Sequence, residues 1–171
     1  DEFPDIEFMF GREIFFGEDI AELLQENVVS TLNDTDYALI EFHPTATADY
    51  IAQSLYKVEN AGYTPVLAHI ERYPDLFKNI KMIEQIIEGG AYIQVNASSV
   101  EGRLGGGVKR QIIKMMKKGL VHFVATDAHS NRSRAPQLEE CIRYIEKKLG
   151  SDYVKKLFID NPEKMVHNEY I

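Results

Sequence analysis

Five side chains of metal-binding type lie in or just after short apolar segments of the sequence. They are Glu13, Glu41, His69, Asp127 and His129. Carboxylates and imidazoles together suit Zn, Mn or Fe better than Ca. One residue separates Asp127 from His129, and residues i and i+2 of an extended segment point the same way. We therefore predict that this segment supplies two ligands to a single metal cluster.

Two arginines follow these histidines closely and indicate the substrate class. Arg72 lies three residues after His69, and Arg134 lies five residues after His129. A metal ion polarises phosphoryl oxygens and lowers the pKa of a bound water. Guanidinium groups bind the remaining phosphate oxygens in pairs. The combination predicts hydrolysis of a phosphomonoester by metal-activated hydroxide.

The apolar segments that carry these polar residues are predicted to be β-strands. They lie at 8–16, 37–42, 63–70, 91–95 and 120–125. Apolar residues recur at helical spacing in the intervening sequence. Helices are predicted at 50–61, 80–87, 108–116, 133–150 and 151–158, with a last turn after 161–162. Alternation of this kind implies parallel strands joined by crossover helices.

The positions of the polar residues favour a barrel over an open sheet. Side chains at the carboxyl ends of successive strands converge on one rim of a βα-barrel, whereas an open doubly wound sheet spreads them along an edge. A complete barrel takes roughly 200–250 residues, whereas this chain has 171 and begins at Asp1 without a methionine. We expect one α/β domain over residues 1–171, a distorted (β/α) TIM-like barrel represented by its later β-α units and lacking its N-terminal strands.

Composition excludes several other classes of protein. The formal net charge of −8 and the pI near 5.1 argue against nucleic-acid binding. No apolar run approaches the ~18 residues of a membrane helix, so membrane insertion is not expected. Cys141 is the single cysteine, which is typical of a cytoplasmic protein. The absence of a Cys-x5-Arg loop excludes the cysteine-dependent phosphatase mechanism.

The most specific motifs are Ala-His-Ile-Glu-Arg-Tyr at 68–73 and an Asp-x-His at 127–129 that an arginine follows. Together with segments 31–42 and 160–164, they resemble the PHP-type (polymerase and histidinol phosphatase) bacterial protein-tyrosine phosphatases of capsule and exopolysaccharide synthesis. The resemblance implies a distorted βα-barrel with up to three metal ions, which would be Mn, Fe or Zn. It also implies a phosphotyrosine substrate, notably on the tyrosine-rich tail of a partner kinase that controls polysaccharide export.

The resemblance also implies roles for the same seven side chains. The implied metal ligands are Glu13 as a bridging carboxylate, Glu41 and His69 at a neighbouring metal, and Asp127 and His129 at the far strand end. Arg72 and Arg134 match the arginines that hold the phosphate.

The sequence departs from the family at its start. The family begins with a His-x-His on its first strand and a further histidine before the glutamate, and these 171 residues contain neither. We therefore expect the 171 residues by themselves to bind metal weakly and to be inactive. Two alternatives stay open: a small-molecule phosphoesterase such as a histidinol phosphatase, and a non-catalytic barrel piece that binds a kinase tail or an oligomer partner. The sequence leaves the metal and the oligomeric state, including a homo-oligomer, undecided.

Each selected side chain also has a purely structural interpretation. A buried carboxylate can form an ion pair, a carboxylate can cap a helix or turn, and a strand histidine is often satisfied by its core neighbours. Several polar residues are assigned no chemistry, namely His43, His122, His167, Asn96 and Cys141. Among them, His122 is expected to be structural, and Asn96 is expected at the rim.

Overall fold

One parallel sheet organises the computed structural model, which describes residues 6–130 and 135–171. Within these residues the strands are β1 Glu13–Phe15, β2 Tyr37–Glu41, β3 Thr64–Leu67, β4 Tyr92–Asn96 and β5 Phe123–Ala125. Their order across the sheet is their order along the chain, and each neighbouring pair is parallel. The predicted α/β class is therefore confirmed. The described strands form a sheet with β1 and β5 at its edges, so closure into a barrel stays a prediction.

Helices connect the strands and pack mainly on one face of the sheet. Those in the described residues are α1 Ile20–Gln25, α2 Ala48–Asn60, α3 Pro74–Phe77, α4 Ile80–Glu88, α5 Ala97–Glu101, α6 Gly106–Lys117, α7 Glu139–Leu149, α8 Ser151–Lys155 and α9 Asn161–Val166. Short 3₁₀ turns occupy Leu32–Asp34 and Ile70–Arg72, and a short π-helix at Lys156–Asp160 joins α8 to α9. In this part of the chain, every helix is too short or too polar to cross a lipid bilayer.

The central helices form where the sequence predicts them, because each has an apolar stripe and a starting cap. In α2, Ile51, Leu55 and Val58 are buried at helical spacing, and Thr47 Oγ1 accepts a hydrogen bond from the backbone N–H of Tyr50. In α4, Asn79 makes the equivalent cap. The buried apolar side chains of both helices pack in the main core against the sheet.

The sheet has two different faces, because the side chains of a strand alternate between them. Ala38 and Ile40 belong to the main core under the helices, whereas Tyr37 lies on the opposite face in a smaller apolar cluster. The buried members of the smaller cluster are Tyr37, Val66, Tyr92 and Phe123. Met165 of α9 packs against them. Glu41 lies four residues after Tyr37 on β2, so the alternation places it on this second face.

Four predicted boundaries are wrong. The strand predicted at 63–70 ends at Leu67, because the backbone turns into the left-handed region at His69. The first strand covers 13–15 rather than 8–16, and Phe8 and Phe10 are 74% and 85% exposed. Apolar character alone does not make a strand: the carbonyl of Phe10 accepts the N–H of Asn33 instead of joining the ladder. The helix predicted from residue 133 begins at Glu139, and residues 131–134 lie outside the described part. The strand predicted at 120–125 covers only Phe123–Ala125, and the contacts of His122 explain its later start.

His122 bonds to β4 through both its backbone N–H and its ring, with the ring nitrogen taking the place of a backbone carbonyl acceptor. Its backbone N–H donates to the carbonyl of Ile93 at 2.9 Å, and its Nδ1 accepts the N–H of Ile93 at 3.1 Å. The ring packs against Tyr92, and Asn161 Nδ2 donates to the His122 carbonyl at 2.7 Å. Burial lowers the pKa of the imidazole to about 4, and the positive charge of Lys156 adds to the effect. The structural interpretation of His122 is therefore confirmed.

Replacing His122 by asparagine is expected to flatten the acid dependence of stability. Because the native pKa lies below its ordinary 6.5, the stabilisation is fully present above pH 6.5 and is lost as the pH falls toward about 4. The shift corresponds to up to about 3 kcal/mol of unfolding free energy. Asparagine keeps an acceptor for Ile93 and does not titrate. Urea unfolding at several pH values would test this, and parallel pH profiles for the two proteins would contradict it.

Candidate metal centre

Two carboxylates and one imidazole meet on the second face of the sheet. One ligand atom from each of Glu13, Glu41 and His69 lies within 4.8 Å of the others. His69 Nε2 is 2.8 Å from Glu13 Oε1 and 3.4 Å from Glu41 Oε1. His69 is 2% exposed, whereas the two glutamate side chains are about one third exposed. The two carboxylates of the cluster therefore reach solvent, whereas the imidazole is buried.

Strand register explains how these residues meet. Glu41 ends β2, as the sequence predicts, but Glu13 begins β1 instead of lying near its end. Because Glu13 pairs with Leu39, and Leu39 and Glu41 share one side of β2, both carboxylates lie on the same face. His69 follows β3, the next strand across.

The backbone turns sharply at His69. Its φ of +31° lies in the left-handed region, which histidine adopts more readily than most residues. Its N–H donates to Oε1 of Gln94, and its Nδ1 is 3.4 Å from the hydroxyl of Tyr73. The same hydroxyl accepts the backbone N–H of Phe42 at 3.0 Å. These contacts orient Nε2 toward the two carboxylates.

Arg72 connects this cluster to Asp127. Its Nη2 is 2.5 Å from Asp127 Oδ2, and its Nη1 is 3.6 Å from Glu41 Oε1 and 3.4 Å from His69 Nε2. The Asp127 side chain is 10% exposed and that of Arg72 is 36% exposed. The structure thus brings Arg72 and Asp127 to the mouth of the site, as the sequence predicts for residues that follow strand ends.

The two remaining predicted residues differ in what is known of their positions. His129 is exposed and lies beside Asp127. The Nδ1 of His129 is 3.0 Å from the backbone carbonyl oxygen of Asp127 and 3.3 Å from Asp127 Oδ1. Arg134 lies outside the described residues.

Electrostatics favour the ionised form of Glu13. The hydrogen bond with His69 holds the pKa of this carboxyl below its usual range, and electrostatic interactions with His69, Arg72 and His129 act in the same direction. Partial burial opposes them. An ionised carboxylate beside a second carboxylate and an imidazole is a donor set that a first-row divalent metal prefers.

Sequence reasoning missed Glu71 and Gln94, and it placed Asn96 at the rim without assigning it chemistry. Glu71 is 6% exposed, its Oε1 accepts the backbone N–H of Asn96 at 2.9 Å, and burial raises its pKa. Gln94 and Asn96 are buried on β4 and bond to one another. Two polar side chains two positions apart in an otherwise apolar strand were the available signal, because buried polar groups require partners.

A cleft of about 550 Å³ adjoins the mouth of the site. Arg72 and Asp127 are among its lining residues, and so are the exposed side chains of Arg103, Glu139 and Arg143. The cleft therefore carries both signs of charge and includes the guanidinium that the sequence singles out.

Comparison with known proteins gives a consistent set of matches. Residues 1–167 match the family described as capsular polysaccharide synthesis, CpsB/CapC. The tyrosine-protein phosphatase CpsB of Streptococcus pneumoniae is 37% identical over 172 residues, which cover 98% of this chain and 71% of that protein. The tyrosine-protein phosphatase YwqE of Bacillus subtilis strain 168 is 32% identical over 161 residues, covering 94% of this chain and 63% of that protein.

A solved structure has the same fold. It comes from the crystal structures of YwqE from Bacillus subtilis and CpsB from Streptococcus pneumoniae, described as unique metal-dependent tyrosine phosphatases. The TM-score is 0.86 at 32% sequence identity, and the match covers 94% of this chain. This chain spans 65% of the solved chain.

Proposed function

This chain belongs to the CpsB/CapC family of capsular polysaccharide synthesis proteins, and we propose that it acts as a metal-dependent protein-tyrosine phosphatase. One observation supports this above all. Two carboxylates and a buried imidazole converge within 4.8 Å, and a guanidinium lies 3.6 Å from one of the carboxylates. Cation ligands beside a phosphate-binding side chain are what hydrolysis of a phosphate monoester requires.

The residues divide the work according to their chemistry. Glu13, Glu41 and His69 hold a divalent cation, and Asp127 with His129 supplies ligands on the opposite side of Arg72. When bound, such a cation polarises the phosphoryl group and lowers the pKa of a coordinated water. Mn, Fe and Zn all accept this donor set, and up to three ions are part of the proposal.

Arg72 binds the phosphate ester itself. Its guanidinium lies within reach of two of the three carboxylates of the site, with Nη2 2.5 Å from Asp127 Oδ2 and Nη1 3.6 Å from Glu41 Oε1. A planar guanidinium bonds two oxygens of a phosphate at once and stabilises the charge that develops on them. Arg134 is proposed to share this role.

The substrate is a phosphotyrosine in a flexible protein segment, such as the tail of a tyrosine kinase of polysaccharide export. The cleft of about 550 Å³ beside Arg72 includes exposed charged side chains such as Arg103, Glu139 and Arg143, and a site of this kind suits a peptide better than a small enclosed metabolite. Such a kinase tail is cytoplasmic, and a single cysteine fits that compartment.

The proposal includes the finer fold. The sheet order β1 to β5, with candidate ligands on β1 and β2 and after β3 and β5, suits the later part of a distorted PHP-type barrel. Residues 1–171 would then form a single domain without the first strands of that barrel.

Hydrolysis rates test this proposal. With Mn²⁺, the complete gene product should hydrolyse a phosphotyrosine peptide with a higher kcat/KM than either a phosphoserine peptide or histidinol phosphate. Residues 1–171 alone should bind Mn²⁺ weakly and show little activity. Preference for histidinol phosphate would favour the small-molecule alternative. Metal-independent rates, or no hydrolysis of any ester, would contradict the proposal.

A further inference from the structure

We propose that Gln94 and Asn96 are positioning residues, which hold His69 and Asp127 at the metal centre through a directed chain of hydrogen bonds. This inference rests on the metal centre of the proposed function. Neither residue is assigned as a metal ligand or as a phosphate-binding group. Both lie on β4, the strand between β3, which precedes His69, and β5, which precedes Asp127.

Three hydrogen bonds run in sequence across the site. The backbone N–H of His69 donates to Gln94 Oε1. Gln94 Nε2 donates to Asn96 Oδ1 at 3.0 Å, and Asn96 Nδ2 donates to Asp127 Oδ2 at 3.0 Å. The chain therefore begins at the turn that carries the imidazole and ends on a carboxylate 58 residues further along the sequence.

The two ends of the chain dictate the orientation of both amides. A backbone N–H only donates and an ionised carboxylate only accepts. Gln94 must therefore present its oxygen to His69 and its NH₂ to Asn96, which must present its own NH₂ to Asp127. The same oxygen of Asp127 also accepts from Arg72 at 2.5 Å, so this carboxylate is held from two directions.

Burying two amide side chains costs desolvation free energy, which their hydrogen bonds must offset. Gln94 and Asn96 are 6% and 5% exposed, on the face where Tyr92 and Val66 form an apolar cluster. An apolar side chain at either position would avoid the desolvation cost of a buried amide. Glu71 also holds Asn96 in place. Its Oε1 accepts the backbone N–H of Asn96, which connects the turn after His69 to the end of β4.

Charge-neutral variants of similar size test the inference. Asn96→Leu removes the donor to Asp127, and Gln94→Met removes the acceptor for the N–H of His69. Each should weaken Mn²⁺ affinity about 10- to 100-fold, the range seen when groups that orient metal ligands are lost. The readouts are the dissociation constant from Mn²⁺ titration followed by EPR, and the melting temperature without added metal, both on the complete gene product.

Asn161→Leu is the matched control. Asn161 is also a buried amide, 2% exposed, but its Nδ2 donates to the carbonyl of His122 at 2.7 Å, away from the candidate ligands. We expect this variant to melt at a lower temperature while its folded form binds Mn²⁺ with the affinity of the wild type.

The outcomes separate this inference from the proposed function. Wild-type affinity in either Asn96→Leu or Gln94→Met would overturn the positioning role alone. An equal loss in Asn161→Leu would also overturn it, since any buried amide would then suffice. A wild-type protein that binds no Mn²⁺ would overturn the metal centre and this inference together. If Asn96→Leu fails to fold, Gln94→Met decides, because that variant keeps the Asn96 donor to the carboxylate of Asp127.

Discussion

Replacing His69 by asparagine is expected to lower the Mn²⁺-dependent phosphatase activity of the complete gene product at least about 100-fold. Its Nε2 is the atom on which Glu13 and Glu41 converge, at 2.8 and 3.4 Å. Loss of a group that only orients a ligand costs about 10–100-fold, and loss of a ligand should cost at least as much. Asparagine accepts the left-handed backbone of this position, so the turn is preserved while the imidazole is removed.

Initial rates on a phosphotyrosine peptide and the amount of Mn²⁺ bound per chain would measure this effect. His167→Asn is the control, because His167 is an exposed histidine at the end of α9 whose Nδ1 contacts the carbonyl of Glu163. The control should retain wild-type rates. If His69→Asn kept most of the activity, or if both variants lost it equally, His69 would not be a ligand.

Replacing Arg72 by lysine is expected to lower kcat/KM for the phosphotyrosine peptide about 100-fold and to weaken inhibition by inorganic phosphate. Lysine keeps the positive charge beside Asp127 but loses the planar pair of donors that binds two phosphate oxygens. Removal of a single donor to a developing oxyanion typically costs about 10²–10³-fold in rate. The conservative change therefore isolates phosphate binding from charge neutralisation.

Competitive inhibition by phosphate and the affinity for Mn²⁺ would be measured together. Arg110→Lys, at an exposed position on α6, is the control and should leave both unchanged. A role limited to neutralising Asp127 and Glu41 would be preserved in Arg72→Lys, so kcat/KM and phosphate inhibition would both stay at their wild-type values. That pattern would contradict the proposed contact with substrate.

The family resemblance drawn from the motifs is confirmed by the match to CpsB/CapC over residues 1–167. The segment at 68–73 was decisive, because it places a ligand-type histidine and a phosphate-type arginine three residues apart at the end of one strand. The structure adds that Glu71, between them, is buried and ties this turn to β4. A single sequence could not distinguish this carboxylate from the ligand-type glutamates.

Local pattern alone determined the α/β alternation, the central helices and the types of side chain available for chemistry, because helical spacing, glycine stops and strand-end positions involve neighbours in sequence. Only the tertiary structure decided which groups meet. Glu13 and His69 are 56 residues apart and touch because β1, β2 and β3 pair side by side, and this pairing joins segments that are distant in sequence. For the same reason, His122 became a structural acceptor while His69 faced two carboxylates, and two amides of β4 linked His69 to Asp127.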